Sequence, residues 1–403
     1  MPAPLEGPAA VGHLLRRAGF GPHADTWSAW SALPYDEAVD RVLAELDAPV
    51  TADPADFDVY VPGAIQQCWM ERMLAAPSGF AEKLAFFWHG HFATSEAKIK
   101  DPQLMWTQYH LLRTHGGGSF RDLVRGITRD VAMVRWLDGN SNRAGQANEN
   151  FARELQELFT LGIGNYTEQD IREIARAFTG WGSRHHDFTF RPHFHDAGQK
   201  TIHGKTGTFE GDEVVDLLVN LPACSRFIAT KLLRFFSHPD PTADEVEALA
   251  LVFRVSKLDV KATLAHLFRS EAFRSSAHQR VLVKSPIEFC IGALRCVAAT
   301  EVPSWMHGAV DRMGQILFRP PSVKGWTSGK GWMSSGAIVE RLRSAQLVSR
   351  LPAKNTRPAR ATAITSVALQ DDMPAAMRTA LEATTEPAAR IALVLGAPEF
   401  QLS

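Results

Sequence analysis

The residues best suited to chemistry lie in the stretch NENFARELQELFTLG, residues 148–162. Phe151, Leu155, Leu158 and Phe159 recur at i, i+4, i+7 and i+8, so the stretch predicts a helix with one apolar face. At about 100° per residue, Asn150, Glu154 and Glu157 form a stripe beside that face, while Glu149, Arg153 and Gln156 lie opposite. A carboxylate at such a boundary is half desolvated. Burial raises its pKa and suits it to general acid or base work, whereas a neighbouring cation lowers it and suits it to charge stabilisation or metal binding. The plainer reading is an i,i+4 pair of Glu149 with Arg153 and acids placed favourably in the first turns of a helix.

Histidine supplies a second set. Five of the 15 histidines fall between residues 185 and 203, within SRHHDFTFRPHFHDAGQKTIHGKTGTFE, residues 183–210. In an extended segment His193 and His195 project from one side, and Asp196 follows at once. Imidazole with carboxylate is the ligand set of a divalent metal, and equally a His–Asp general-base pair. A further pair, His89 and His91, sits in FFWHGHF, residues 86–92, where Gly90 is expected to end a helix and let the two rings point together. Either they ligate a metal, or they bond to backbone groups while Trp88 and Phe92 anchor the corner. FRPPSVKGWTSGKGWMS, residues 318–334, reads as a shaped loop. Trp326 and Trp332 beside Arg319, Lys324 and Lys330 suit a sugar ring or an anionic group, or else the tryptophans cap the core. Its glycines do not match a phosphate-binding GxxxxGK[ST] loop.

These residues must be positioned by helices. Apolar spacing is helical almost throughout, with predicted helices near 8–18, 62–76, 78–88, 101–114, 148–162, 168–180, 223–236, 242–255, 285–299, 304–317 and 336–350 among others. Ser285-Pro286-Ile287-Glu288 is a capping box with proline at the first helical position, which assigns the Glu288 carboxylate to its own N-cap amide. Phe188, Phe190 and Phe194 alternate with polar residues, so 183–210 is expected as a short β-hairpin or extended excursion. The expected fold is therefore mainly α. It has a large multi-helical domain over 1–351, a connecting segment over 352–371, and a C-terminal helical pair over 372–403.

Composition removes several classes. The 403 residues carry 43 Lys and Arg against 44 Asp and Glu, a net charge of −1, so nothing sustains a field for nucleic acid. No apolar run approaches the roughly 20 residues of a membrane span, and no secretory leader is visible. Cys68, Cys224, Cys290 and Cys296 show no CxxC pattern and read as core thiols of a reducing compartment. A cytoplasmic location is expected, with co-export to the periplasm on a signal-bearing partner as the alternative.

Taken together, HLLRRAGFG from His13, WHGHF from Trp88, NENFARELQELFTLG from Asn148, YTEQD from Tyr166 and ARAFTGW from Ala175 resemble the bacterial domain-of-unknown-function 1800 family. So do HDAGQK from His195, KSPIEF from Lys284, PPSVKGW ending at Trp326 and APEFQLS ending at Ser403, so the resemblance spans essentially the whole chain. It implies that Trp88, His89, His91, Asn148 to Asn150, Arg153, Glu154, Glu157, His195, Asp196, Lys200, Gly325 and Trp326 are the characteristic polar and aromatic positions. Where many members resemble ELHTLG, this chain has Phe159, which weakens any metal model that needs a histidine there. Family genes commonly sit beside a second family resembling sulfatases and alkaline phosphatases.

Two functions follow as expectations. The first is a hydrolase of a polar envelope or polysaccharide-type substrate, with Glu154, His195 and Asp196 catalytic and Trp88, Asn150, Arg153, Lys200 and Trp326 binding substrate. In that reading His89 and His91 are ligands of a divalent metal ion that assists the reaction. The alternative is a non-catalytic partner or assembly factor for the sulfatase/phosphatase-like protein, the polar motifs forming a buried structural network. The absence of haem, flavin and iron–sulfur signatures argues against a redox enzyme.

Overall fold

The structure, a computed structural model, describes residues 3–352, 360–370 and 372–403. It is mainly helical. The excursion expected at 183–210 consists of two antiparallel hairpins: Trp181–Arg184 pairs with Asp187–Phe190, and Lys200–Ile202 pairs with Lys205–Gly207. Among the described residues no helix is long and apolar enough to cross a membrane. All four cysteines are buried and free.

Local chemistry sets the helix ends. Both halves of the capping box are formed at Ser285/Glu288, at Thr167/Asp170 and at Thr242/Glu245. Glu288 does double duty: Oε2 accepts the Ser285 N–H at 2.7 Å while Oε1 pairs with the buried Lys83 ammonium. Lys83 also donates to the Gly19 carbonyl at 3.2 Å, so this one pair ties three segments together. Arg295, fully buried, donates to the carbonyls of Gly21, Ala76 and Pro77 at 3.0, 2.6 and 2.8 Å. A guanidinium there satisfies carbonyls left over at the end of the Ala64–Ala75 helix. Arg341 donates to the Gln401 side chain at 3.1 Å and to the Lys284 carbonyl at 2.6 Å, tying the chain's last residues to the KSPIEF segment. One apolar core, running from Val11 to Phe400, surrounds this ionic lattice.

Four expectations are corrected. The Phe80–His91 helix continues through Gly90, because an apolar wall of Phe86, Phe87, Trp88 and Phe92 holds both sides of that last turn. The helix expected over 304–317 is shorter, Trp305–Arg312, and Gly314 in the left-handed region follows it. Within the expected connection, Arg360–Leu369 is a helix whose Ile364, Val367, Ala368 and Leu369 are buried; residues 353–359 and 371 lie outside the described residues. Finally, 148–162 is not one α-helix: Glu149–Glu154 is α-helical and Leu155–Thr160 forms a wider, π-type turn. There the Leu161 N–H reaches the Gln156 carbonyl five residues back, at 2.8 Å.

Candidate acid–base site

The WHGHF motif is a scaffold. Trp88 is fully buried, donates its indole N–H to the Gly116 carbonyl at 2.9 Å, and stacks on Phe92 and Phe120. Because the helix runs on, His89 and His91 are two residues apart on it and point to opposite sides. His89 lies among Trp69, Phe318 and Trp326, and its Nε2 accepts the Phe318 N–H at 3.0 Å. His91 lies among Phe87, Phe159 and Phe227, and its Nε2–H donates to the Phe159 carbonyl at 3.0 Å. Burial drives the His89 pKa down to about 3 and that of His91 well below its ordinary value, with Lys231 adding to the latter. Both rings are therefore neutral, and the geometry does not bring them to a common metal.

What the two histidines hold is more informative. His89 pins the start of the loop that begins at Phe318, and His91 pins a carbonyl of the wide turn that carries Glu157. The loop's other end docks at Gly325, where φ is +78° and an added Cβ would stand 2.6 Å from the Gly90 carbonyl oxygen. Glycine is required there by both conformation and space. The result places Lys324 close enough to the Glu154 carboxyl to lower its pKa.

Glu154 and Glu157 are half-buried neighbours. Burial first, and the Glu157 charge second, push the Glu154 carboxyl above its ordinary range; Lys324 and Arg153 pull the other way. Among the described residues the Glu154 carboxyl and the Lys324 ammonium make no hydrogen bond or ion pair. Glu157 accepts a hydrogen bond from the Tyr166 hydroxyl at 2.6 Å. Trp326, half buried, presents its edge to the His89 ring 5.2 Å away. The Glu154 carboxyl, its pKa raised by burial, thus lies beside a second carboxylate that a phenol holds, and within electrostatic reach of Lys324.

The other expected residues lie elsewhere. Arg153 forms a two-pronged ion pair with Glu168, at 2.8 and 2.9 Å, on the surface at the start of the Glu168–Ala177 helix. Asn150 is exposed, its N–H capped by Asn148. Asp196 belongs to the far end of that helix, where Arg176 grips both its oxygens at 2.8 and 3.2 Å and, with the Gly198 N–H, holds its pKa at about 2. Eight residues separate Glu168 from Arg176, about 12 Å of helix axis. The His195 ring donates through Nδ1 to the Thr179 carbonyl at 2.9 Å, not to Asp196. Pro192–Phe194 is a tight turn, so His193 and His195 do not share a strand face, and His193 is exposed. Lys200 is buried, with its ammonium on the carbonyls of Asp196 and Gly198 at 2.6 and 3.0 Å. HDAGQK thus closes a loop on itself and on Arg176.

Sequence reasoning missed two partners and one cavity. Tyr166 carried a signal, its place in YTEQD just beyond the acidic helix, but its target needed coordinates. Gln156, placed opposite the apolar face by the helical wheel, is fully buried; its Oε1 meets the His203 Nε2 at 3.0 Å under the second hairpin. A cavity of about 620 Å³ opens between the Pro-rich segment 48–61 and the helices behind it, lined by Phe57, Val61, Cys68, Arg72, Ala81 and Arg113. No spacing in the sequence marks it.

Fold and site define a multi-helical protein with a buried ionic lattice and a partly exposed carboxylate pair set between a wide helical turn and a glycine-docked loop. A family model described as a protein of unknown function, DUF1800, matches residues 13–402, and the chain belongs to that family. No curated protein and no solved structure matches it.

Proposed function

We propose that this protein is a hydrolase of a polar, glycan-type substrate, with Glu154 as general acid. The observation that carries this reading is Glu154 itself, a half-buried acid beside Glu157 and within electrostatic reach of the exposed Lys324, the Glu154 carboxyl and the Lys324 ammonium each making no hydrogen bond or ion pair among the described residues. In this reaction Glu154 gives its proton to the leaving oxygen, water attacks the carbon, and Glu157 takes the proton of that water. Tyr166 orients Glu157. Lys324 binds a polar group of the substrate, and Trp326 offers a stacking face for a ring. His89 and His91 act by positioning the loop and the wide turn, and His195 and Asp196 take no part.

The test is release of reducing ends from purified envelope polysaccharide by wild type and Glu154→Gln, with circular dichroism as the fold control. The expected loss in the variant is about 100-fold or more. Equal rates, or no release by wild type, would overturn the assignment. The second reading, a non-catalytic partner of a sulfatase/phosphatase-like protein, is favoured by the ionic lattice, since Lys83, Glu288, Arg295 and Arg341 all spend their polar groups inside the fold.

A further inference from the structure

Three segments that the acid–base site does not use meet on the other side of the chain's order. His238 follows the Pro222–Phe236 helix, Glu245 lies in the first turn of the Ala243–Val255 helix, and His278 ends the short turn Ser276–His278. The two imidazoles lie face to face, 3.9 Å apart and 11° from parallel. His238 Nε2 stands 3.4 Å from Glu245 Oε2, and one ligand atom from each of the three residues lies within 4.8 Å of the other two.

The His278 tautomer is set from behind. His278 Nδ1 can only donate to the Ala272 carbonyl, 2.7 Å away, which leaves Nε2 as the nitrogen with a lone pair. His238 Nδ1 is bonded to the Ser237 hydroxyl at 3.1 Å, which turns its Nε2 toward Glu245. A ring N–H anchored to a backbone carbonyl while the other nitrogen is left for an ion, as in His278, is the arrangement that orients metal-binding histidines. Glu245 completes its helix cap with Oε2 alone, accepting the Thr242 N–H and hydroxyl at 2.8 Å, so Oε1 makes no hydrogen bond among the described residues. His278 Nε2 makes none either. A capping role for Glu245 therefore accounts for one oxygen and leaves the other donors unexplained.

We propose that His238, Glu245 and His278 form a divalent-metal site, with zinc as the ion that fits. Two imidazole nitrogens and one carboxylate oxygen are a three-ligand zinc set, with the fourth position left for water. Binding would draw the ligand atoms together to about 3.3 Å and open the stacked rings. His238 is 6% exposed while Glu245 and His278 are half-exposed, so an ion has a path from solvent. Burial first, then the neighbouring His278 and more weakly Arg17, hold the His238 pKa below its ordinary value, and Glu245 opposes them. Arg17, whose guanidinium donates to the His278 carbonyl at 2.5 Å, would favour hydroxide or a carboxylate as the fourth ligand. The site is independent of the acid–base reading, and of His89 and His91.

Full-length protein prepared without a histidine tag, stripped with chelator and dialysed, is titrated with Zn2+ and with Co2+ as a visible probe. One equivalent is expected to bind, with the absorption of tetrahedral Co2+ and a raised melting temperature. His278→Asn, at a half-exposed turn, and Glu245→Gln, which keeps a cap, each with circular dichroism as the fold control, are expected to weaken binding about 100-fold or more. His193→Ala, on an exposed turn elsewhere, should bind as wild type. Absence of stoichiometric binding by wild type, or wild-type affinity in both His278→Asn and Glu245→Gln, overturns the proposal.

Discussion

A single carboxyl can be tuned by its neighbours in opposite directions, and Glu154 shows how the signs separate. Its pKa is raised by burial and by Glu157 and lowered by Lys324 and Arg153. As a general acid it must be protonated, so activity should fall as pH rises through that raised pKa. Lys324→Met removes a lowering influence and should move the falling limb to higher pH; Glu157→Gln removes a raising one together with the base, so its lowering of the Glu154 pKa is read by titration and not by activity. A 13C NMR titration of the Glu154 carboxyl reads the same shifts without a substrate, and a shift of opposite sign in either variant would contradict the assigned geometry. The Lys83–Glu288 pair makes a different residue-scale case. Lys83→Met leaves a buried carboxylate uncompensated and should cost about 3–5 kcal/mol in urea unfolding. Lys83→Met combined with Glu288→Gln should recover much of that, because glutamine still completes the capping box with Ser285.

At the scale of elements, the site is made by two departures from regular structure. The wide turn over Leu155–Thr160 buries Gln156 and moves Glu157 off the α-helical wheel, and His91 takes up a carbonyl at its end. The loop from Phe318 reaches the same place only because Gly325 can lie against Gly90. Gly325→Ala is expected to destabilise the protein by about 1–3 kcal/mol, from a strained positive φ and the clash with the Gly90 carbonyl. It should also draw Lys324 away and raise the Glu154 pKa further. Thermal unfolding and Trp326 fluorescence check the two effects; a variant with unchanged melting and emission would show that the contact is not needed.

Across the whole molecule, neutral buried histidines link stability to acid. His13 is fully buried with its pKa pushed well below the ordinary value by burial and by Arg17 and Arg16, and His89 is held at about 3. The unfolded chain binds protons on these rings near pH 6.5, while the folded chain refuses them. Their contribution is thus fully present above about pH 6.5 and is lost as pH falls toward the folded values. Urea midpoints at constant ionic strength should decline between pH 7.5 and pH 5; a flat or rising midpoint over that range would rule this linkage out.

What the sequence determined by itself was local: helix periodicity, the capping boxes at Ser285 and Thr167, the position of the β excursion, and family membership through motifs spread along the chain. Those features rest on contacts within a few residues, where spacing and residue type suffice. The grouping of the motifs was decided by tertiary structure. Asp196 and Arg153 both bind the Glu168–Ala177 helix, yet at opposite ends, and only the packed helix fixes that. His89 and His91 became positioning residues because the helix ran on through Gly90, held by aromatic packing that no local rule contains. Lys324 came within electrostatic reach of Glu154, and His238 met Glu245 and His278, across separations in the chain that only burial of the intervening core could close. The Asn150, Glu154 and Glu157 stripe was visible in the sequence. That Asn150 faces water, Glu154 is half-buried beside Glu157 and Glu157 holds a tyrosine was decided by what folds against each of them.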